Sequence, residues 1–289
     1  MSMSLSFVLQ LIISGFLMGG VYSLIALGLS LIFGVMKIIN FAHGEMMVWG
    51  MYIAYTILLL TGIDPFLSFG VSAAALFVVG YFIQRVVVNR IIEFPEAMQV
   101  IPMIGTALVF ENGARLIWGP DYRSPSSRFA LSSVFIGDIM IDVPRLLAFL
   151  IAIVIAVLVF LFLKYTDLGK AIRSSADNRL GALLVGTDVN RVYGICFGIG
   201  MACVGAAGAL LVSLVPLSPH IGPTFTMISF IIVILGGMGS LAGAVVGGFI
   251  VGVAESVATI FLPSSLKQIV SFSLMVIILL FKPKGLFGR

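Results

Sequence analysis

The chain has 289 residues, of which 61% are hydrophobic and 10% charged, against roughly 25% charged in an ordinary soluble domain. With a mean hydropathy of +1.22, too few polar residues remain to cover a soluble fold, and lipid must be the solvent for most side chains. The net charge of +4 is small and sits mainly in loops, where it reads as an orientation signal rather than as a nucleic-acid footprint.

In lipid every backbone amide needs an internal partner, which leaves helices or a closed barrel. The apolar runs are continuous and do not alternate with period two, so helices are expected. The fold class is therefore all-α, a polytopic transmembrane helical bundle forming one domain over residues 1–289. In chain order the apolar segments fall near 7–34, 41–61, 66–89, 98–118, 145–163, 191–215, 225–262 and 266–281. Most match the ~20 residues that cross a bilayer. The first has no positive n-region and no small-residue cleavage site, and reads as a retained helix that could break at Gly19-Gly20. The stretch 225–262 is too long for one crossing, and its centre is LGGMGSLAGAVVGG, from Leu235 to Gly248. A glycine cluster there invites a break or a close helix contact.

Positive charge sets the orientation. Lys164, Lys170, Arg173, Arg179 and Arg191 in the loop 164–191, Lys282, Lys284 and Arg289 in the tail, and Arg85 and Arg90 mark cytoplasmic regions. The loop 119–144, where Arg123 and Arg128 are balanced by Asp121, Asp138 and Asp142, fits the outside. Parity then requires 225–262 to enter and return, with residues 236–243 at an inner turn or a re-entrant tip. The result is about nine membrane segments with the N-terminus out and the C-terminus in. Cys196 and Cys203 lie seven apart on one helix, about 10 Å by helical rise, too far for a disulfide, and read as packing thiols.

No catalytic constellation appears. The two histidines, His43 and His220, are far apart in sequence; there is no HExxH, no GxSxG and no P-loop, since Lys170 follows Gly169 without the rest of the motif. Transport powered by ATP would need a partner to hydrolyse it. Three intramembrane clusters are candidate pathway elements. The first, GVMKIINFAHGEMMVWG, places Asn40, His43 and Glu45 near the cytoplasmic boundary. It reads either as a gate or as a helix start with Asn40 as N-cap and Glu45 at the positive helix end. The second places Glu111, Asn112 and Arg115 in an apolar run, with Glu111 and Arg115 spaced i, i+4 as a self-neutralised pair or as a polar lining for a zwitterion. The third is Glu255, a lone acid in GVAESVATIFLP. In the cytoplasmic loop, residues 177–185 gather apolar side chains at helical spacing after a capping-type residue and stop at Gly186-Thr187-Asp188. A short amphipathic helix of this kind lies on the membrane surface or docks into a groove on a soluble partner.

These residues resemble a known family. GGVYSLIALGLSLIFGVMKIINFAHGE, from Gly19 to Glu45, is similar to the opening of branched-chain amino acid ABC transporter permeases. GKAIRSSADNRLGALLVGTDVNRV resembles their cytoplasmic coupling loop, LGGMGSLAGAVVGGFIVGVAES their late glycine-rich segment, and the ending VSFSLMVIILLFKPKGLFGR also fits. One departure is Glu111-Asn112, where related proteins often carry an amide pair.

The resemblance implies a permease subunit of an ABC importer in a bacterial inner membrane. It implies two cytoplasmic ATP-binding subunits, a second homologous permease and an extracytoplasmic solute-binding protein, with no cofactor in the chain itself. Asp177, Asn178, Arg179, Leu180, Ala182, Leu183, Leu184 and Val185 would form the element that sits in a cleft of the ATPase. Gly236, Gly237, Gly239, Gly243, Gly247 and Gly248 would let helices shift with little steric cost. The expected solute is leucine, isoleucine or valine. Rival readings are a permease for urea, short amides or other amino acids, and an ion-driven secondary transporter.

Overall fold

The central element follows from a run of 32 residues with no charged side chain, Leu5–Met36, which forms one uninterrupted helix, α1. The structure, a computed structural model, describes residues 5–125, 127–129, 132–263 and 266–288; Arg289 of the expected basic tail lies outside them. The anticipated break at Gly19-Gly20 is absent, because both glycines serve packing. A Cβ on Gly19 would come within 2.9 Å of the Gly248 carbonyl, and one on Gly20 within 2.5 Å of the Phe149 ring.

After α1 come α2 (His43–Thr61) and α3 (Phe69–Ile83), which runs through a π-helical turn into the short α4 (Asn89–Ile91). Then follow α5 (Glu96–Trp118) and an antiparallel hairpin of β1 (Ser133–Ile136) and β2 (Ile139–Asp142). The remaining helices are α6 (Val143–Tyr165), α7 (Asp167–Asp177), α8 (Arg179–Leu184), α9 (Val189–Leu211), α10 (Gly222–Gly236), α11 (Leu241–Ala258) and α12 (Lys267–Phe281). Among the described residues eight helices are long and apolar enough to cross a membrane. The apolar α12, at 15 residues, is shorter and spans about 22 Å. Together these nine segments match the expected number, and the protein is a multi-pass membrane protein. The small β-hairpin is an addition that the apolar pattern did not announce; Gly137, at φ +61°, makes its turn.

The long segment 225–262 resolves into α10 and α11 joined by a turn at 237–240. Gly237 and Gly239 take positive φ there, +103° and +83°, a conformation open chiefly to glycine. The two arms touch backbone to backbone: a Cβ on Gly236 would lie 2.2 Å from the Gly243 carbonyl oxygen. The segment is thus two helices, of 15 and 18 residues, joined by a glycine turn.

The core is built by small residues. Gly15, Gly19 and Ser23, spaced four apart on α1, face Gly248, Gly252 and Ser256 on α11. Two interhelical hydrogen bonds clamp this seam: Ser23 Oγ donates to the Val245 carbonyl (2.8 Å) and Ser256 Oγ to the Leu11 carbonyl (2.7 Å). On another face Gly28 meets Gly200 of α9, and α9 in turn receives α2 at Gly205 and Gly208. Without a hydrophobic drive between helices in lipid, such close backbone approach and hydrogen bonding are what hold spans together. Cys196 and Cys203 are buried, free thiols inside α9.

The start of α2 is deeper than its sequence implies. His43 Nε2 bonds the Ile25 carbonyl at 2.9 Å, and Ile25 lies eleven residues, about 16 Å, before the inner end of α1. Residues 37–42 therefore climb back into the protein without helical structure, with Ile38, Asn40 and Ala42 fully buried. Irregular backbone at bilayer depth is tolerated only where protein or a cavity surrounds it.

Replacing Gly252 by valine should force α1 and α11 apart, since even a Cβ would sit 2.5 Å from the Gly15 carbonyl. The expected loss is about 1–3 kcal/mol, read as a lowered unfolding midpoint in mixed micelles; an unshifted midpoint would contradict the seam.

Candidate functional site

The first candidate cluster sits in the middle of the protein, not at the cytoplasmic boundary. The amide of Gly44 donates to Thr226 Oγ1 of α10 at 2.9 Å. Glu45 lies against the first residue of α10, so closely that a Cβ on Gly222 would be 2.2 Å from its carboxyl carbon. The N-terminal ends of α2 and α10 thus meet around this carboxylate, which is 3% exposed. Both helix starts bring the partial positive charge of their dipoles to this point. Among the described residues Glu45 Oε2 and His43 Nδ1 have no hydrogen-bond partner. The expected N-cap is corrected: the residue before α2 is Ala42, with no side-chain cap. Asn40 instead accepts the Ala42 amide through Oδ1 (3.1 Å), two residues upstream.

The second cluster adjoins the first. Glu111 Oε1 accepts from Arg115 Nη2 at 2.5 Å and lies 3.2 Å from His220 Nδ1. Arg115 Nη2 also lies 2.8 Å from that nitrogen. His220 belongs to the 3-10 turn Pro219–Ile221 that leads into α10, capped by Ser218, and this turn packs against both α2 and α5. Glu45, Glu111, Arg115 and His220 therefore line one side of the protein, on α2, α5 and the start of α10. The trio is reachable: the side chains of His220 and Arg115 are 44% and 37% exposed. Its helix, α5, is the least buried of the eight long spans. Asn112 is exposed but bonds the Leu108 carbonyl of its own helix (2.8 Å) and takes no part in the cluster.

An aromatic wall joins α2 to α5 beside the trio. Tyr52 stacks on Trp118 with ring centroids 4.7 Å apart, and Trp49 packs edge-on against Phe110 and Trp118. Trp49 Nε1 donates to the Phe110 carbonyl (2.8 Å) and Trp118 Nε1 to Thr56 Oγ1 (3.0 Å). The signal for this wall was the spacing Glu45, Trp49, Tyr52 on successive turns of one helix face. No sequence spacing could bring in His220, which lies 109 residues from Glu111.

Glu255 stands apart and is not a lone acid. It accepts from Ser271 Oγ (2.8 Å) and Tyr22 OH (3.1 Å), with Lys267 Nζ at 3.6 Å. This knot ties α11 to α1 and α12, and the structure does not bring it to Glu45 or Glu111.

The cytoplasmic element is two helices, not one. Asp177 ends α7, and Asn178, extended in its backbone, caps α8 by accepting the Gly181 amide through Oδ1 at 2.9 Å. The short helix expected within 177–185 is α8, shorter than expected and capped by Asn178, while Asp177 closes the helix before it; the Asn side chain takes an amide that would otherwise continue α7. A Schellman closure ends α8: Gly186 N–H bonds Leu183 O, Thr187 N–H bonds Ala182 O, and Gly186 takes φ +84°. Ala182 is buried against the bundle, whereas Leu180 and Leu184 are 72% and 88% exposed and Leu183 and Val185 are also exposed. Arg179 pairs with Glu93 at 3.2 Å, which fixes α8 beside the cytoplasmic end of α4. At the other end of the arm, Thr166 Oγ1 caps α7 by accepting from Gly169 N–H (3.0 Å). The Lys170 ammonium, 2.9 Å away, holds the Asp167 carboxyl below its ordinary range. Among the described residues no cluster of three or more metal-ligating side chains occurs.

Comparison with known proteins agrees with this architecture. The profile of a family described as "Branched-chain amino acid transport system / permease component" matches residues 11–279. The chain is 31% identical to the high-affinity branched-chain amino acid transport system permease protein LivH of Escherichia coli, over all of this chain and 98% of that protein. It is 30% identical to the corresponding permease protein BraD of Pseudomonas aeruginosa, over 97% of this chain and 96% of that one. A probable branched-chain amino acid transport permease protein LivH of Methanocaldococcus jannaschii is 29% identical over 92% of this chain and 88% of its own length. No solved structure gives a significant match. On the family profile and these full-length similarities, the chain belongs to the branched-chain amino acid transport permeases.

Proposed function

We propose that this chain is the translocation subunit of an ABC importer that carries leucine, isoleucine or valine inward across a bacterial inner membrane. The observation that carries the reading is the Glu111–Arg115–His220 trio, in which Glu111 and Arg115 of α5 meet His220 from the turn before α10, with Arg115 and His220 partly exposed and the Glu45 carboxyl behind them. Charged groups do not face hydrocarbon; they face a partner or a water-filled path. The α5 face is thus where a second, homologous permease packs, and the path runs between the two. A zwitterionic amino acid finds an acid, a cation and an aromatic wall there, with apolar surface for its side chain.

The chain supplies no catalysis. ATP is hydrolysed by two cytoplasmic subunits, and α8 is their docking element. Its exposed Leu180, Leu183, Leu184 and Val185 form an apolar face on an otherwise charged cytoplasmic arm. A solute-binding protein docks outside on the loop 119–144, which is tied to the segment before α10 by a two-way bridge between Arg123 and Leu217 (2.9 and 2.8 Å). Closure of the ATPases moves α7 and α8, and the permease pair alternates its access.

Two outcomes test this. The double substitution Leu180→Asp and Leu184→Asp changes only exposed positions, so folding and membrane insertion should persist while the bound ATPase is lost; co-purification of ATPase at the wild-type ratio would count against docking through α8. Glu111→Gln removes the charge shared by Arg115 and His220, and should lower leucine uptake by about tenfold or more at unchanged expression, a loss of ~1.4 kcal/mol in transition-state stabilisation. Uptake at the wild-type rate would remove the trio from the path.

A further inference from the structure

A cavity of about 450 Å³ opens on the cytoplasmic side, between the inner end of α1, α7 and the turn that joins α10 to α11. None of its lining residues comes from α2 or α5, so it is separate from the Glu45–Glu111 site. Its size is in the lower part of the range of roughly 300–1,000 Å³ common for small-molecule sites. Leu31, Val35, Leu163 and Ile172 give it an apolar wall, and Lys37, Arg173 and Asp177 give it both signs of charge.

Two further features point to a ligand. Ser30 lines the cavity, is fully buried, and its hydroxyl has no partner among the described residues. Such a group costs free energy unless something pairs with it. Lys37 holds a left-handed backbone at φ +56°, the only described residue besides glycine to do so, and its ammonium lies over the Phe33 ring at 5.3 Å. Strain of this kind gathers at functional sites such as ligand clamps.

We propose that this cavity binds a free α-amino acid with a small apolar side chain from the cytoplasm, and that its occupancy slows the transporter. The carboxylate pairs with Arg173 and Lys37, the ammonium with Asp177, and the side chain rests on Leu31, Val35 and Ile172. A plain anion would meet Asp177 and leave the apolar wall unused; an apolar molecule would leave the charges unmatched. Asp177 is the last residue of α7, immediately before the cap of α8. A ligand bridging Asp177 to α1 therefore ties the docking arm to the bundle and resists its movement. The ligand assigned here rests on the proposed function: it is the transported solute, returning as a brake.

The test uses the complete transporter in proteoliposomes with ATP inside and L-leucine inside at zero or millimolar concentration. Internal leucine should slow initial uptake about fivefold. Ser30→Leu, which fills the cavity, and Arg173→Gln, which removes the carboxylate partner without adding bulk, should each abolish the slowing while uptake into leucine-free vesicles stays near wild type. Wild-type uptake indifferent to internal leucine, or slowing that survives in both variants, overturns the proposal. Should leucine not be transported at all, the solute reading fails by itself, and radiolabelled L-leucine binding to the detergent-solubilised chain decides the cavity. Binding lost in Ser30→Leu and Arg173→Gln upholds it; no binding, or binding equal in all three proteins, overturns it.

Discussion

The organisation of this protein depends on two helices that begin inside it. The start of α2 and the start of α10 meet at mid-depth, joined by the Gly44 amide and Thr226 and by the fit of Glu45 over Gly222. Lipid cannot solvate an open helix end, so both ends must be enclosed by other helices, and the positive ends of both dipoles converge on one place. A carboxyl group sits there, and a polar path can be built next to it. The neighbouring aromatic wall and the Glu111–Arg115–His220 trio extend that polar region to the α5 face.

Much of the fold could be read from the chain because the bilayer imposes a simple code. Eight apolar segments, one of them long enough to enter and return, together with the basic loops and parity, led to about nine spans and to a turn or re-entrant tip between α10 and α11. What stayed illegible depends on depth and on long-range contact. Residues 37–42 are apolar enough to look like the edge of a span, yet they climb about 16 Å into the protein because His43 must reach Ile25. Gly19-Gly20 looked like a weak point, but a glycine pair in lipid serves as well for close packing as for bending, and only the partner, here α11 and Phe149, decides which.

The sites divide in the same way. The Glu111–Arg115 pair follows from i, i+4 spacing alone, whereas His220 joins it from a turn more than a hundred residues away. Glu255 looked solitary because Tyr22, Lys267 and Ser271 come from two other helices. The cytoplasmic loop was legible as amphipathic, but its division was not: α8 begins behind the Asn178 cap, and Asp177 closes the helix before it. That division gives the arm a joint. The joint separates α7, packed on α1, α6 and α9, from the exposed apolar face of α8.

The central claim is that the α5 face at the level of Glu111 meets water along a solute path instead of lipid. Both native cysteines are buried, so a single introduced thiol can report its surroundings. In the assembled transporter, Asn112→Cys on α5 should react with an impermeant thiol reagent added from outside, and should be protected by saturating solute-loaded binding protein. Val154→Cys, exposed on the apolar α6, should not react. An Asn112→Cys thiol as inert as the one at position 154 would place α5 against lipid and contradict the account.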